Sequence, residues 1–344
     1  MPEEATVRRQ SFTIGENTTS YLDGGRPDAP LLVFVHGWPA LGSTWRHQLA
    51  YFATHGFRVV APDMRGYGLS TVYGDRSQYR QELIVADMIA LIDHLGRQGA
   101  VWIGHDWGTP TVWNIAAHFP ARCAAVATLA VPFGRLERGL EALLAAVDRR
   151  RYPVDSYPYG QFDYMVFYEQ HPDRATSVFD ANPAASVKAL FRGGSPTVHT
   201  HPARTALITR DGGWFGGASE APDYPLDTAV LAERDQAELT EALARNGFGG
   251  PTSYYLNHEA NAAYAGAAEN GGRLEMPVLF IGAAYDPVAD LTGPAMLQPM
   301  RQSCTDLVET TVPAGHWLQL EAAAQVNEIL HTWLTDHTTR SSIR

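Results

Sequence analysis

Cysteine, basic charge and long apolar runs are all scarce in this chain. Its two cysteines, Cys123 and Cys304, are too few for a disulfide framework and lack the spacing of metal ligands. With 26 basic against 37 acidic residues the net charge is -11, which argues against nucleic acid or an anionic membrane as partner, since both require a basic face. No apolar run approaches the roughly 20 residues that a membrane-spanning helix needs. Met1 to Gln10 is charged and has no apolar stretch of the kind that marks a secretory signal. Together these absences predict a soluble cytoplasmic protein with neither nucleic-acid nor membrane partners. Repeats and low-complexity segments are also missing. Apolar residues, by contrast, make up 45% of the 344 positions, enough for a sizeable core and incompatible with a disordered chain.

Read in order, the chain alternates between strand-like and helix-like segments. Ser11 to Leu22 reads as one or two opening strands, with a turn at Asp23-Gly24-Gly25. Leu31 to Val35 is a continuous apolar run, as expected of a strand buried on both faces of a parallel sheet. A helix over Trp45 to His55, a strand over Phe57 to Ala61 and a helix over Gln81 to Leu95 follow. Val101 to Gly104 and Ala124 to Ala130 read as further strands, separated by a helix over Thr111 to His118. The alternation predicts a mostly parallel, doubly wound α/β sheet. It lapses from about 135 to 265, where helical pieces and Gly-, Pro- and aromatic-rich loops replace it. It resumes with a strand at Pro277 to Gly282, a helix at Leu291 to Gln302, a strand at Leu307 to Val312 and a closing helix at Leu318 to Thr335. The expected organisation is an α/β core over 1–134 and 266–344, carrying a mainly helical lid over 135–265.

The chemistry is expected to centre on Val101-Trp102-Ile103-Gly104-His105-Asp106-Trp107-Gly108. A strand that runs into Gly-x-x-x-Gly and then a helix must turn sharply, and the outer glycines allow close backbone crossing. This is the pattern of a nucleophile elbow, usually built around serine. The centre here is Asp106, so a serine esterase is disfavoured, and a carboxylate so presented can attack carbon and form an ester. Such a nucleophile needs an oxyanion site, a base and an acid that orients the base. His36-Gly37-Trp38-Pro39 ends the strand beside the elbow, so the backbone N–H groups of Trp38 and Trp107 are the expected oxyanion hole. His316 follows the last strand in a Gly-containing loop, at the sheet edge where open α/β sheets bind ligands, and is the candidate base. Asp286 follows the strand before it and is the candidate orienting acid, because the loop Val131-Pro132-Phe133 carries no carboxylate. His36 and His105 read as structural hydrogen bonders, and Asp63 with Arg65 as a structural ion pair.

These features resemble the α/β-hydrolase superfamily over nearly the whole chain. Gly-His-Asp-Trp-Gly, His-Gly-Trp-Pro and Gly-His-Trp are together similar to the soluble epoxide hydrolase family. Phe162-Asp163-Tyr164-Met165-Val166-Phe167-Tyr168 looks like that family's first lid motif. Gly247-Phe248-Gly249-Gly250-Pro251-Thr252-Ser253-Tyr254-Tyr255 looks like the second, with Ser253-Tyr254 in place of the usual Asn-Trp. The resemblance implies that Tyr164 and Tyr255 hold the epoxide oxygen, with Tyr254 a rival to Tyr255. It implies hydrolysis of a small apolar epoxide by water through an ester on Asp106, with no metal and no organic cofactor. Trp38, Trp107 and Phe133 are expected to wall the pocket, and the loop Arg204 to Pro225 to shape it. Two other readings carry weight. A haloalkane dehalogenase shares the Asp-Trp elbow but stabilises a halide with N–H donors, and phenols suit an alkoxide better. A ligand-binding receptor on the same fold would be expected to have lost a catalytic group, and none is missing here.

Overall fold

The computed structural model describes residues 7–338. Eight strands form one sheet, and each is placed by its neighbours. β1 (Arg8–Ile14) and β2 (Asn17–Gly24) make an antiparallel hairpin around Gly15, whose φ of 58° lies in the left-handed region. The hairpin turn is therefore at Gly15-Glu16, while the Asp23-Gly24-Gly25 segment completes β2 and then leaves the sheet. β3 (Leu31–Val35) follows, then helix α1 (Arg46–Thr54), β4 (Arg58–Pro62), α2 (Gln81–His94) and β5 (Ala100–His105). α3 (Gly108–His118) and β6 (Cys123–Leu129) complete the first part of the sheet. After a long excursion come β7 (Leu274–Ala283) and β8 (Cys304–Val312). The strand order is β1-β2-β4-β3-β5-β6-β7-β8, parallel from β4 onward and antiparallel only in the first two pairings.

β3 and β5 lie at the centre of the sheet and every residue of both is buried. That explains their unbroken apolar runs: helices cover both faces, so neither face needs polar side chains. Each fully buried Val, Leu or Ile there contributes about 1.5–3 kcal/mol. α3 is also buried along its length, apart from its last residue, and packs against β5 and β6. It begins at Gly108, three residues earlier than the sequence pattern suggests, which leaves only Asp106 and Trp107 to make the turn from the strand. This short connection fixes the elbow.

Between β6 and β7 the chain adds no strand to the sheet. It passes through α4 (Leu140–Leu144), α5 (Asp163–Gln170), α6 (Pro172–Asp180) and α7 (Pro183–Leu190). A loop-rich stretch then leads to α8 (Glu233–Asn246), α9 (Gly249–Ser253) and α10 (His258–Gly266).

Two expected helices differ. Only α11 (Gln298–Ser303) forms where Leu291 to Gln302 was expected. The Asp290 carboxylate takes the N–H and hydroxyl of Thr292, and Gly293-Pro294 follows, so the chain turns there instead. The closing helix is divided into α12 (Leu318–Glu321) and α13 (Ala323–Thr338). The break falls at Ala322, whose φ and ψ of -116° and 37° are not helical, and the Gln319 carbonyl accepts from Gln48 Nε2. Among the described residues no helix is long and apolar enough to cross a membrane.

Candidate active site

Asp106 has a φ of 50°, an unusual conformation for a residue with a side chain. The surroundings enforce it. A Cβ on Gly108 would overlap the Val35 carbonyl, and one on Gly37 would overlap Asp106 Oδ1 and the Trp107 nitrogen. Two glycines thus let β3, the elbow and α3 touch through bare backbone. The Asp106 carbonyl accepts from the N–H and hydroxyl of Thr109, which anchors the first turn of α3.

The two carboxylate oxygens of Asp106 have different surroundings. Oδ1 accepts the Trp38 N–H at 2.7 Å, and the Trp107 N–H also donates to this carboxylate. Oδ2 faces His316 Nε2 at 3.4 Å. His316 Nδ1 in turn lies 2.7 Å from Asp286 Oδ2. Asp286 is fully buried, and its other oxygen accepts the N–H groups of Val288 and Ala289. The loops after β5, β7 and β8 therefore bring Asp106, Asp286 and His316 into one line.

Burial alone would raise the Asp106 carboxyl, but the hydrogen bond and charge of His316 outweigh it and hold it below the usual carboxylate range. Asp286 is lowered in the same way, with burial opposed by His316. Burial would lower His316, yet Asp286 and Asp106 on either side push it up to about 10. The two flanking carboxylates thus favour the protonated imidazole. His36 and His105 are structural, as their positions suggest. His36 Nε2 accepts the Met64 N–H, which leaves Nδ1–H to donate to the Gly37 carbonyl. His105 sits between the His316 carbonyl and the Gln319 amide. Burial lowers each of these two histidines to about 4, so both stay neutral.

Asp106 and His316 open onto a cavity of about 420 Å³, also lined by Trp38, Tyr164, Tyr255 and Trp317. The Tyr255 ring is wedged among Tyr168, Trp107, Tyr164 and Trp38, at centroid distances of 4.8 to 5.8 Å and close to edge-to-face. Burial first, then neighbouring groups that include Asp106, keep both Tyr164 and Tyr255 well above the ordinary phenol value. They stay protonated, so each keeps an O–H to donate. Tyr254 is excluded from this role because its hydroxyl donates to the Arg65 carbonyl at 2.9 Å.

Three expectations are corrected. Phe133 is buried but lies off the cavity wall, because its ring packs against Trp113 on α3. The indole of Trp107 is likewise behind the wall, edge-on to Tyr255, and only its backbone reaches the site. Asp63 and Arg65 do not pair with each other. Arg65 grips Asp87 with two bonds of 2.8 Å, while Asp63 binds Arg9 and the Gly42 N–H. The loop Arg204 to Pro225 does help shape the cavity, through Trp214, a residue not singled out in the sequence, which lines it against Trp38 and Tyr164. Its signal was the glycine pair on each side, 212–213 and 216–217, all four at positive φ. No comparable signal marks Leu190, Gly194 or Val288 on the wall.

A profile of the alpha/beta hydrolase fold matches residues 30–178. Epoxide hydrolase A of Mycobacterium tuberculosis is 31% identical over 320 residues, covering 91% of this chain and 93% of that protein. The chain belongs to the epoxide hydrolase family. Other epoxide hydrolases agree in sequence and in shape. The bifunctional epoxide hydrolase 2 of Sus scrofa is 32% identical over 306 residues, 89% of this chain, which spans about half (51%) of that longer protein. The crystal structure of epoxide hydrolase A from Mycobacterium thermoresistibile superposes with a TM-score of 0.78 at 28% identity, over 96% of this chain and 98% of that one. An epoxide hydrolase from Vigna radiata gives 0.78 at 25% identity, over 98% and 99%. As an epoxide hydrolase family member with an α/β hydrolase fold, the protein is a hydrolase.

Proposed function

We propose that the protein opens an apolar epoxide to a vicinal diol in two steps, with Asp106 as nucleophile. The observation that carries this reading is the asymmetry of the Asp106 carboxylate. Oδ1 accepts the Trp38 N–H, whereas Oδ2 faces His316, so Oδ2 is the oxygen placed to attack. Oδ2 attacks one epoxide carbon, the C–O bond breaks, and the departing oxygen receives a hydrogen bond and then a proton from Tyr164 or Tyr255. The product is a hydroxyalkyl ester of Asp106.

In the second step His316, held by Asp286, removes a proton from water as the water attacks the ester carbonyl carbon. The oxyanion that develops is Oδ1, which the Trp38 amide already holds, with the Trp107 amide as the second expected donor. Collapse releases the diol with Oδ2 in it and leaves the water oxygen on Asp106. Residues 135–265 serve as a cap that supplies both phenols and the aromatic wall. The mostly apolar lining suits a substrate with hydrocarbon substituents. A haloalkane dehalogenase reading fits less well, because two phenols line the cavity with the nucleophile and suit an alkoxide better than a halide.

The test uses styrene oxide and excess enzyme in ¹⁸O-water for one turnover. The expected result is unlabelled diol and ¹⁸O in the peptide containing Asp106, with no turnover by Asp106→Ala. Label in the diol of the first turnover, or an active Asp106→Ala variant, would overturn the ester route.

A further inference from the structure

The loop that carries His316 is held from outside the triad. Its backbone carbonyl accepts from His105 Nε2 at 2.7 Å. On the other side of His316, the Gly315 N–H donates to Glu321 Oε2 at 2.8 Å. The same carboxylate also accepts the Gly194 N–H, at 3.2 and 3.1 Å from its two oxygens. Gly194 belongs to the excursion between β6 and β7, so one side chain at the end of α12 joins that excursion to the catalytic loop. The backbones meet closely. A Cβ on Gly194 would lie 2.5 Å from the Cα and nitrogen of Gly315, and 2.7 Å from the Tyr285 Cβ.

Residues 190–199 are pinned to the catalytic loops on either side of this crossing. Trp317, next to His316, stacks on Phe191 at 4.0 Å and donates its indole N–H to the Leu190 carbonyl at 2.9 Å. His199 Nε2 lies 2.9 Å from the carbonyl of Ala284, two residues before Asp286. Arg151 donates to His199 Nδ1, so Nε2 carries the proton and is the donor in that bond. Segment 190–199 is therefore a strap that crosses both catalytic loops, and its Leu190, Gly194, Ser195 and Val198 form part of the cavity wall.

We propose that Glu321 is a positioning residue for the hydrolytic step. It fixes His316 through Gly315 and makes that fixation depend on a seated strap. The inference rests on the ester mechanism above. Attack by Asp106 uses Oδ2 and the two phenols, none of which Glu321 touches. Hydrolysis instead requires His316 Nε2 to hold a water against the ester carbonyl, and such geometry is sensitive to small displacements of the base. Displacing the strap would break the Gly194 bond on the same carboxylate. Water activation is then fully supported only while the strap is seated.

Rapid-quench single turnovers with styrene oxide, with intact-protein mass reporting the ester, separate the two steps. Glu321→Ala is expected to form ester within about twofold of the wild-type rate and to hydrolyse it about 10- to 100-fold more slowly, so that ester accumulates. Glu321→Gln, which keeps one accepting oxygen and the side-chain shape, is expected to fall between the two. Gly194→Ala, with Glu321 intact, should slow hydrolysis in the same direction by pushing the strap off Gly315. Equal slowing of both steps, or unchanged hydrolysis alongside a lower melting temperature, would reduce Glu321 to a structural role and overturn the proposal. Failure of the wild-type enzyme to form any ester would sink the ester mechanism and this proposal together.

Discussion

On the proposed mechanism, esterification of Asp106 would change the charge that His316 faces. In the resting site two carboxylates hold the imidazole near 10. Once one of them is an ester, only Asp286 remains and the proton leaves at lower pH, which turns an imidazolium into a base when a base is required. The sign follows from linkage. A histidine raised from 6.5 adds stability that is complete below 6.5 and lost as pH rises through about 10. Asp106→Asn is therefore expected to lower the His316 pKa, read by imidazole NMR titration; a value still near 10 would contradict this account. Ester formation should persist as pH falls, since Asp106 lies below the usual carboxylate range, whereas ester hydrolysis should rise with pH around neutrality. The phenols make a sharper contrast. Tyr164→Phe and Tyr255→Phe should each slow ester formation by about 100-fold or more. Tyr254→Phe should leave that rate within about twofold and cost about 1–3 kcal/mol of stability, because the buried Arg65 carbonyl loses its donor. Rapid-quench rates and urea midpoints for the three variants check this, and a Tyr254→Phe enzyme that fails in chemistry would reverse the assignment.

Elements near the site are joined by buried charge rather than by apolar packing alone. The loop after β4 reaches α2 through Arg65 and Asp87, both less than a tenth exposed. Burial raises Asp87 even against the guanidinium. Arg65→Met would leave this carboxylate nearly alone, with the Asn17 amide as its remaining side-chain donor. The expected loss is about 3–5 kcal/mol at neutral pH. Part of it should return as pH falls, because protonating Asp87 removes the uncompensated charge. Urea midpoints at neutral and mildly acidic pH measure both effects. A loss that does not depend on pH would show that the guanidinium acts through packing instead. Asp63 has a comparable task, tying Arg9 on β1 and the Gly42 N–H to the end of β4.

Across the whole molecule, the excursion between β6 and β7 is bonded to the sheet domain at many separate points. Arg151 binds the buried Asp290, Tyr254 binds Arg65, Trp317 binds Leu190, and Glu321 binds Gly194. An excursion held by buried groups that need those partners should not melt first, since its separation would strand the Asp290 charge and several backbone groups. One cooperative thermal transition is expected, with calorimetric and van't Hoff enthalpies equal. A separate low-temperature transition that exposes Trp214 would show the two parts to be independent. The same linkage is why the catalytic histidine can respond to the state of the cavity wall.

The sequence alone determined the strand–helix rhythm, the elbow and the three loops that carry Asp106, Asp286 and His316. Those signals are local: apolar period, turn glycines, and a carboxylate or imidazole just past a strand. Tertiary packing decided between Tyr254 and Tyr255, moved Phe133 to Trp113, and gave Arg65 to Asp87 rather than to Asp63. It also divided the last helix. Each of these choices depends on partners far away in the chain, and no spacing along the sequence encodes which of two adjacent rings will face a cavity.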